Sequence, residues 1–405
     1  MAITYYYRRP SVGFFKKFLA QAVWLLPPLT VIVILALGFS GGWFTKIAPD
    51  KPKPIASPTP PRPITDYDGD KLYADLDGPF LSRKEINAQD QDCNDILHGK
   101  ALEPQLLPDG TKEFHLTASA FTWQLYNTAR VTVWGYNGQV PGPLIRLRVG
   151  DKVRFVVKNE LPQDTTVHWH GLAVPNEEDG VPGITQKAIP PGGQFTYHFI
   201  VTPQMAGTHL YHTHVNDSFQ MDQGLHGILV IDPAQPPQST YDVEAFYEMA
   251  SFKVGGSDQE NVFTLDGKSF PEAPVLHIPL GAKVLLRLVN ASAENDHVMH
   301  LHGYTFKVVA LDGNPLSHPY SANTINLAPS QTADVAFTAN NTGRWMFHCH
   351  ILDHMINPGP QGEGNETMMA NMGGLMTFID VVAKDEVQTD YLAAGELYSD
   401  PTCGK

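Results

Sequence analysis

The chain is short of basic charge: 28 lysines and arginines face 42 acidic residues, for a net charge of -14, and no long basic patch interrupts the body. That balance argues against nucleic acid as a partner. No glycine-rich nucleotide loop and no Ser-His-Asp elbow occurs, so those two chemistries have no carrier here. Charge of either sign is missing from Phe18 to Phe44, and cysteine is scarce throughout, with three in 405 residues. One of the three, Cys349, stands inside "MFHCHILDH" (residues 346–354) among His348, His350 and His354. Imidazoles at that density are rare in a core, because each ring nitrogen must be paired or pays to be buried alone.

Length and a 42% hydrophobic composition suggest two domains plus extensions. Residues 1–17 form a basic head with Arg8, Arg9, Lys16 and Lys17. The uncharged run 18–44 is long enough to cross a bilayer, and Pro27 and Pro28 are tolerable in such a helix. The basic flank predicts a cytoplasmic amino terminus and an exported body. A cleaved signal peptide ending near "LALGFSGG" is the competing reading, and "RRPSVGFF" loosely resembles a twin-arginine export signal. Residues 45–63 are a Pro-rich linker. Residues 64–111 are read as an acidic arm. Its Asp66, Asp68 and Asp70 alternate as in a calcium loop, but the Glu expected at the twelfth position is missing.

From Lys112 onward, helical periodicity gives way to short extended runs such as "VTVWGYNG", "KVRFVVKN" and "QFTYHFIV", separated by "VPGP", "VGD" and "PPGG" turns. This is the pattern of an all-β sandwich or barrel. After the break "DPAQPPQST" a second set follows, and "GPLIRLRVGDKVRFVVKNELP" and "APVLHIPLGAKVLLRLVNAS" share a rhythm that suggests two copies of one β domain. The expected domains are 112–235 and 240–384, with a tail at 385–405.

Ten histidines fall into four clusters: His168 and His170; His212 and His214; His297, His300 and His302; His348, His350 and His354. Each cluster contains a His-x-His pair, and on a strand such a pair shares one face. Eight converging neutral imidazoles suit copper and are too many for one ion. Parity turns Cys349 and His297 to the opposite face, with His354 as the candidate third member. Two His and one Cys are the trigonal set of a blue-copper centre. His209 and His226 lie close enough to the second cluster to support it from behind.

These residues resemble the multicopper oxidase family, over roughly residues 112–384, including "VWGYNGQVPGPLIRLRVGD" and all four histidine motifs. The resemblance implies two cupredoxin-like Greek-key β-sandwich domains and a two-domain, small-laccase-type enzyme. It implies four coppers: one type 1, one type 2 and two type 3. Reductant would be oxidised at the type 1 copper and O2 reduced to water at the trinuclear cluster. By motif position, His168 and His300 would bind the type 2 copper, and His170, His212, His214, His302, His348 and His350 the type 3 pair. His297, Cys349 and His354 would bind the type 1 copper. Its axial position falls on Leu375, with Met376 as the alternative, because a longer loop intervenes here than the family usually has. Asp179 and Asp353 sit where relatives place proton-delivering acids. The resemblance also implies a homotrimer with interchain trinuclear clusters. The exported body would stand in the periplasm or another extracytoplasmic space, held to the inner membrane by one N-terminal span.

The reductant stays open between phenols or amines and a metal ion. A cuprous oxidase is one alternative, since Met355, Met368, Met369, Met372 and Met376 crowd one loop and thioethers select Cu(I). A copper nitrite reductase fits less well, because its blue-copper cysteine lies in the first domain. A copper carrier without oxidase activity would bind the metal and consume no oxygen. Cys93 and Cys403, both expected outside the β core, are left as a candidate disulfide.

Overall fold

The computed structural model describes residues 83–126, 129–235, 241–357 and 372–382. The basic head, the uncharged run 18–44, the Pro-rich linker, the calcium-like stretch, Met368, Met369, Cys403 and the tail lie outside the described residues. Among the described residues no helix is long and apolar enough to cross a membrane.

The first domain packs two sheets. One holds β1 (Gln105–Leu106), β2 (Lys112–Tyr126), β5 (Lys152–Asn159) and β7 (Gln194–Ile200) in that order, with β3 (Ala129–Tyr136) also paired to β2. The other runs β4 (Gly142–Arg148), β9 (His226–Asp232), β8 (Gly207–His212), β6 (His168–His170). The sequence of β5 shows why it is a strand: Val153, Phe155 and Val157 alternate inward while Lys152, Arg154 and Lys158 face water. The enclosed core includes Phe114, Phe155, Trp169, Tyr197 and Tyr211.

The second domain repeats the plan. Its six-stranded sheet runs β11 (Val262–Leu265), β10 (Val243–Phe252), β13 (Lys283–Asn290), β18 (Thr332–Thr338), β15 (Phe306–Leu311), β16 (Asn314–Ala322). Its five-stranded sheet runs β12 (Leu276–Pro279), β20 (Met376–Val382), β19 (Gly343–Cys349), β14 (His297–Leu301), β17 (Thr324–Leu327). The two phrases of shared rhythm become β4–β5 and β12–β13, and in both domains the second member lies parallel to the first long strand, β2 or β10.

A third apolar cluster joins the domains, drawing Trp123, Leu210 and Ile228 from the first and Phe246, Phe252 and Val289 from the second. A ladder of charge runs beside it. Arg146 binds Asp232 bidentately at 2.9 Å and Glu244 at 2.8 Å, and Arg287 binds Glu244 at 2.6 Å and Asp334 at 2.8 Å. Arginine forks fix orientation as well as distance, so the domains are held in register.

The sequence reading places no helix between residues 64 and 111, yet α1 (Arg83–Leu97) lies there and packs on this joint. Its sequence, RKEINAQDQDCNDIL, is too polar for a 3.6-residue stripe to stand out. It is held instead by Cys93, Ile96 and Leu97, each at most 2% exposed, and by Gln89. That amide accepts the Gln124 N–H at 3.0 Å and donates to Thr122 O at 3.4 Å, in effect extending a sheet edge. Cys93, expected outside the core, is therefore inside it.

Candidate metal centres

Two strand pairs in matching registers carry His168, His170, His212, His300 and His348, and His214, His302 and His350 follow just past the strand ends. In the first domain β6 and β8 place His168 opposite His212. In the second, β14 and β19 place His300 opposite His348. The His168 ring lies 5.6, 5.3 and 5.4 Å from those of His170, His212 and His214. The His300 ring lies 4.8, 5.7 and 5.5 Å from those of His302, His348 and His350. Nitrogens face each other across both sets: His170 Nδ1 and His212 Nε2 are 3.3 Å apart, and His302 Nε2 and His348 Nε2 are 3.0 Å apart.

Backbone carbonyls orient the rings, and they do so identically in the two domains. His168 Nδ1 lies 2.7 Å from Asp179 O and His300 Nδ1 2.6 Å from Asn323 O. His212 Nδ1 lies 2.7 Å from Thr213 O and His348 Nδ1 2.8 Å from Cys349 O. Fixing Nδ1–H on a carbonyl leaves Nε2 as the lone pair for a metal. Burial holds the pKa of His212 well below the ordinary value, helped by neighbouring His168 and His170, and lowers that of His348 to about 4. These rings are neutral, as ligands must be. Among the described residues no ring of one set touches a ring of the other.

Behind the second set lies a different triangle. His297 Nδ1, Cys349 Sγ and His354 Nδ1 are all buried and within 4.8 Å of one another. The two Nδ1 atoms are 3.1 Å apart, and the sulfur is 3.6 Å from His354 Nδ1. His297 Nε2 is taken by Ser292 Oγ at 2.7 Å, and the His354 ring stacks on Phe263 with centroids 4.0 Å apart. Burial raises the thiol pKa of Cys349 and lowers both imidazole pKa values. Two inward lone pairs and one sulfur, shut away from water, fit a copper ion and satisfy each other poorly without one.

Parity separates the two axial candidates. Met376 pairs with His348 across the ladder and shares its face, away from the thiol. Leu375 joins the core cluster that contains Cys349, accepts the Cys349 N–H at 2.9 Å and donates to His354 O at 2.8 Å. Of the two acids, Asp179 brings a carboxylate oxygen to 3.5 Å from His168 Nδ1. Asp353 is exposed on the turn that carries His354 and acts electrostatically on that ring. His226 turns across the domain joint to Glu248, Nδ1 to Oε1 2.6 Å, with both side chains fully buried.

Sequence reasoning missed a third set, Thr165, Thr213 and Gln220. Thr213 lies between His212 and His214 as Cys349 lies between His348 and His350, and Thr165 precedes His168 by the spacing at which His297 precedes His300. Both hydroxyls donate to Gln220 Oε1, at 3.0 and 2.7 Å, and Gln220 Nε2 donates to Asp164 O at 2.8 Å. The signal was available in "GTHLYHTH" (207–214) beside "GRWMFHCH" (343–350).

Residues 117–236 and 245–357 match two family models, each described as multicopper oxidase. A "Copper resistance protein A homolog" of Pseudomonas syringae pv. tomato is 42% identical over 139 residues, covering 34% of this chain and 23% of that protein. "Multicopper oxidase mco" of Staphylococcus haemolyticus is 31% identical over 62% of this chain and 59% of its own length. The chain thus spans well under two thirds of these curated relatives. Among solved structures, the Blue Copper Oxidase from Nitrosomonas europaea superposes with a TM-score of 0.60 at 32% identity, over 66% of this chain and 85% of that one. The strand plan is consistent with cupredoxin-like sandwiches.

Proposed function

The chain belongs to the multicopper oxidase family, and on that premise we propose that it is a laccase-like, copper-dependent oxidase of a small reductant. The observation that carries the reading is the pairing of a buried His297–Cys349–His354 triangle with two four-histidine sets on equivalent strands. The triangle would hold one type 1 copper, and the eight imidazoles would hold one type 2 and two type 3 coppers. When bound, copper supplies one-electron oxidation of the reductant and four-electron reduction of O2 to water.

The chain's own residues supply position, path and protons. Cys349 is bonded on either side to His348 and His350, so three consecutive residues join the triangle to the second set. Carbonyls of Asp179, Thr213, Asn323 and Cys349 fix four ligand rings before any metal arrives, which lowers the reorganisation needed on binding. The Asp179 carboxylate, beside His168 and half-buried, is placed to hand protons inward. Leu375, packed in the same core cluster as Cys349, would offer copper no donor atom, and copper held by His297, Cys349 and His354 alone would have a higher potential than with a thioether added.

The separation of the two four-histidine sets supports a homotrimer in which the first domain of one subunit meets the second domain of its neighbour and closes each cluster between them. Export is supported by Arg8, Arg9, Lys16 and Lys17 ahead of the uncharged run 18–44. It would leave the catalytic body on the periplasmic side, anchored by that span. A second reading, cuprous oxidation, is favoured by the similarity to the copper resistance relative and by Met355, whose sulfur lies 3.1 Å from His348 Nδ1.

Oxygen uptake by the copper-loaded protein, driven in turn by phenols, Cu(I) and Mn(II), tests the proposal. Consumption that depends on both copper and reductant is expected, and metal binding with no uptake for any donor would reduce the protein to a carrier. For assembly, a His168→Ala chain is co-expressed with a Cys349→Ser chain, each inactive alone. Mixed trimers are expected to regain some activity, and confirmed mixed trimers without activity would place each cluster within one chain.

A further inference from the structure

Each His-x-His motif that opens a domain's metal set ends in a glycine at positive φ, Gly171 at 82° and Gly303 at 74°. One rung beyond His170↔Leu210, the β6–β8 ladder sets Gly171 against His209. One rung beyond the His302 N–H to Met346 O bond, Gly303 meets Trp345. A Cβ on Gly171 would stand 2.8 Å from His209 Nδ1, and a Cβ on Gly303 would run into the Trp345 indole. The rings already occupy the space a side chain would need. Both are tied by a ring N–H to the carbonyl four residues upstream, His209 Nε2 to Met205 O at 2.9 Å and Trp345 Nε1 to Asn341 O at 3.0 Å. Both stand three residues before the second His-x-His motif, at His212 and His348.

His209 is no ligand by this geometry. Strand parity turns it to the core side with Tyr211, away from His212, and one nitrogen is committed to Met205. It also reaches the other domain, since a Cβ on Gly313 would lie 2.5 Å from His209 Cε1. The ring is thus gripped between Gly171, next to His170, and the Asp312–Gly313 turn of the second domain.

We infer that His209 and Trp345 are matched positioning residues, each a flat ring that sets the distance between the two His-x-His motifs of its domain so that four imidazoles meet around copper. The inference rests on reading those sets as copper sites. In the first domain the same ring makes the position of His170 depend on how the two domains pack.

The test uses the full chain, reconstituted with copper, as wild type, His209→Ala, His209→Phe and Trp345→Phe. Chelator competition gives copper affinity, blue absorbance reports the Cys349 centre, and the type 2 paramagnetic signal reports the cluster. In His209→Ala, cluster copper is expected to be held on the order of 10- to 100-fold more weakly, with blue absorbance unchanged. Both Phe variants should behave as wild type, because the flat ring rather than its N–H fills the slot. If His209→Ala does not fold, His209→Leu carries the same expectation, apolar bulk without a flat ring. Cluster copper held as tightly as in wild type in the Ala or Leu variant overturns the inference, and so does a His209→Phe protein as weak as His209→Ala. A wild-type protein that binds no copper would instead refute the underlying reading.

Discussion

The two domains share a ladder, a ring-orienting scheme and a four-histidine set, yet differ at three buried positions. Where the second has His297, Cys349 and His354, the first has Thr165, Thr213 and Gln220. The first trio is complete by itself, two hydroxyls donating to one amide oxygen, and it asks nothing of a metal. The second is two inward imidazole nitrogens 3.1 Å apart and a thiol whose pKa burial raises. Matching strands therefore hold a satisfied polar core in one domain and a candidate metal site in the other, with the third member supplied by a short helix in the first (Gln220) and by a 3-10 turn in the second (His354). The side chains, on nearly the same strand frame, decide which.

The comparison breaks most sharply at the sulfur. Cys349→Ser is expected to abolish both the blue absorbance and reductant-driven oxygen uptake while cluster copper is retained, because only the thiolate of the electron-entry site is lost. Elemental analysis beside the absorption spectrum checks it, and a variant that stays blue would overturn the ligand assignment.

Next in size is a pH effect on the metal-free protein. His297 is fully buried with its pKa well below the ordinary value, and the His354 pKa is lowered too, by burial first. As pH falls through 6.5 the unfolded chain takes up protons that the folded chain refuses, so stability drops. One fully buried imidazole contributes a loss of about 2 kcal/mol between pH 6.5 and 5. Transplanting the first domain's solution as His297→Thr, Cys349→Thr and His354→Gln should remove that share of the pH dependence. Thermal melts of both metal-free proteins at pH 7.5 and 5 measure the difference.

How much of this was legible beforehand follows from what each residue type signals. Histidine and cysteine announce themselves by rarity, and period-two parity alone separates the triangle from the sets, so Cys349, His297 and His300 could be sorted without coordinates. Thr213 shows only when "GTHLYHTH" is set beside "GRWMFHCH", and its bonding with Thr165 and Gln220 does not show at all, since threonine and glutamine are common and their hydrogen bonds join positions far apart in sequence. The helix α1 was hidden for a related reason: its anchoring depends on Gln89 finding a strand edge and on three apolar side chains, not on a stripe. Family analogy already favoured Leu375 with Met376 as the alternative across a loop of unusual length, and the register of β20 adds that Met376 lies opposite His348.

That register gives a smaller test. Leu375→Met should lower the potential of the blue centre by adding a thioether ligand, whereas Met376→Leu, on the opposite face, should leave it unchanged. Redox titration of the blue band distinguishes them, and the reverse pattern would place Met376 at the axial position.

The smallest effect lies in the domain without a blue centre. Thr213→Val keeps the buried shape and removes one of the two donors to Gln220 Oε1, while Thr165 still supplies the other at 3.0 Å. The Val215 N–H also loses the hydroxyl that accepts it at 3.3 Å, but it is only half-buried and water can take over, so the loss should stay close to that of one ordinary hydrogen bond, about 1 kcal/mol. In domains of this size that is a fall of about 2–4 °C in Tm. Copper content and blue absorbance should not change, because the Thr213 carbonyl that orients His212 belongs to the backbone and survives the substitution. A Thr213→Val protein that loses cluster copper would show that the hydroxyl, and not only the carbonyl beside it, helps to hold His212 and His214. The two domains would then differ less than their side chains suggest, each depending on the residue between its second pair of histidines.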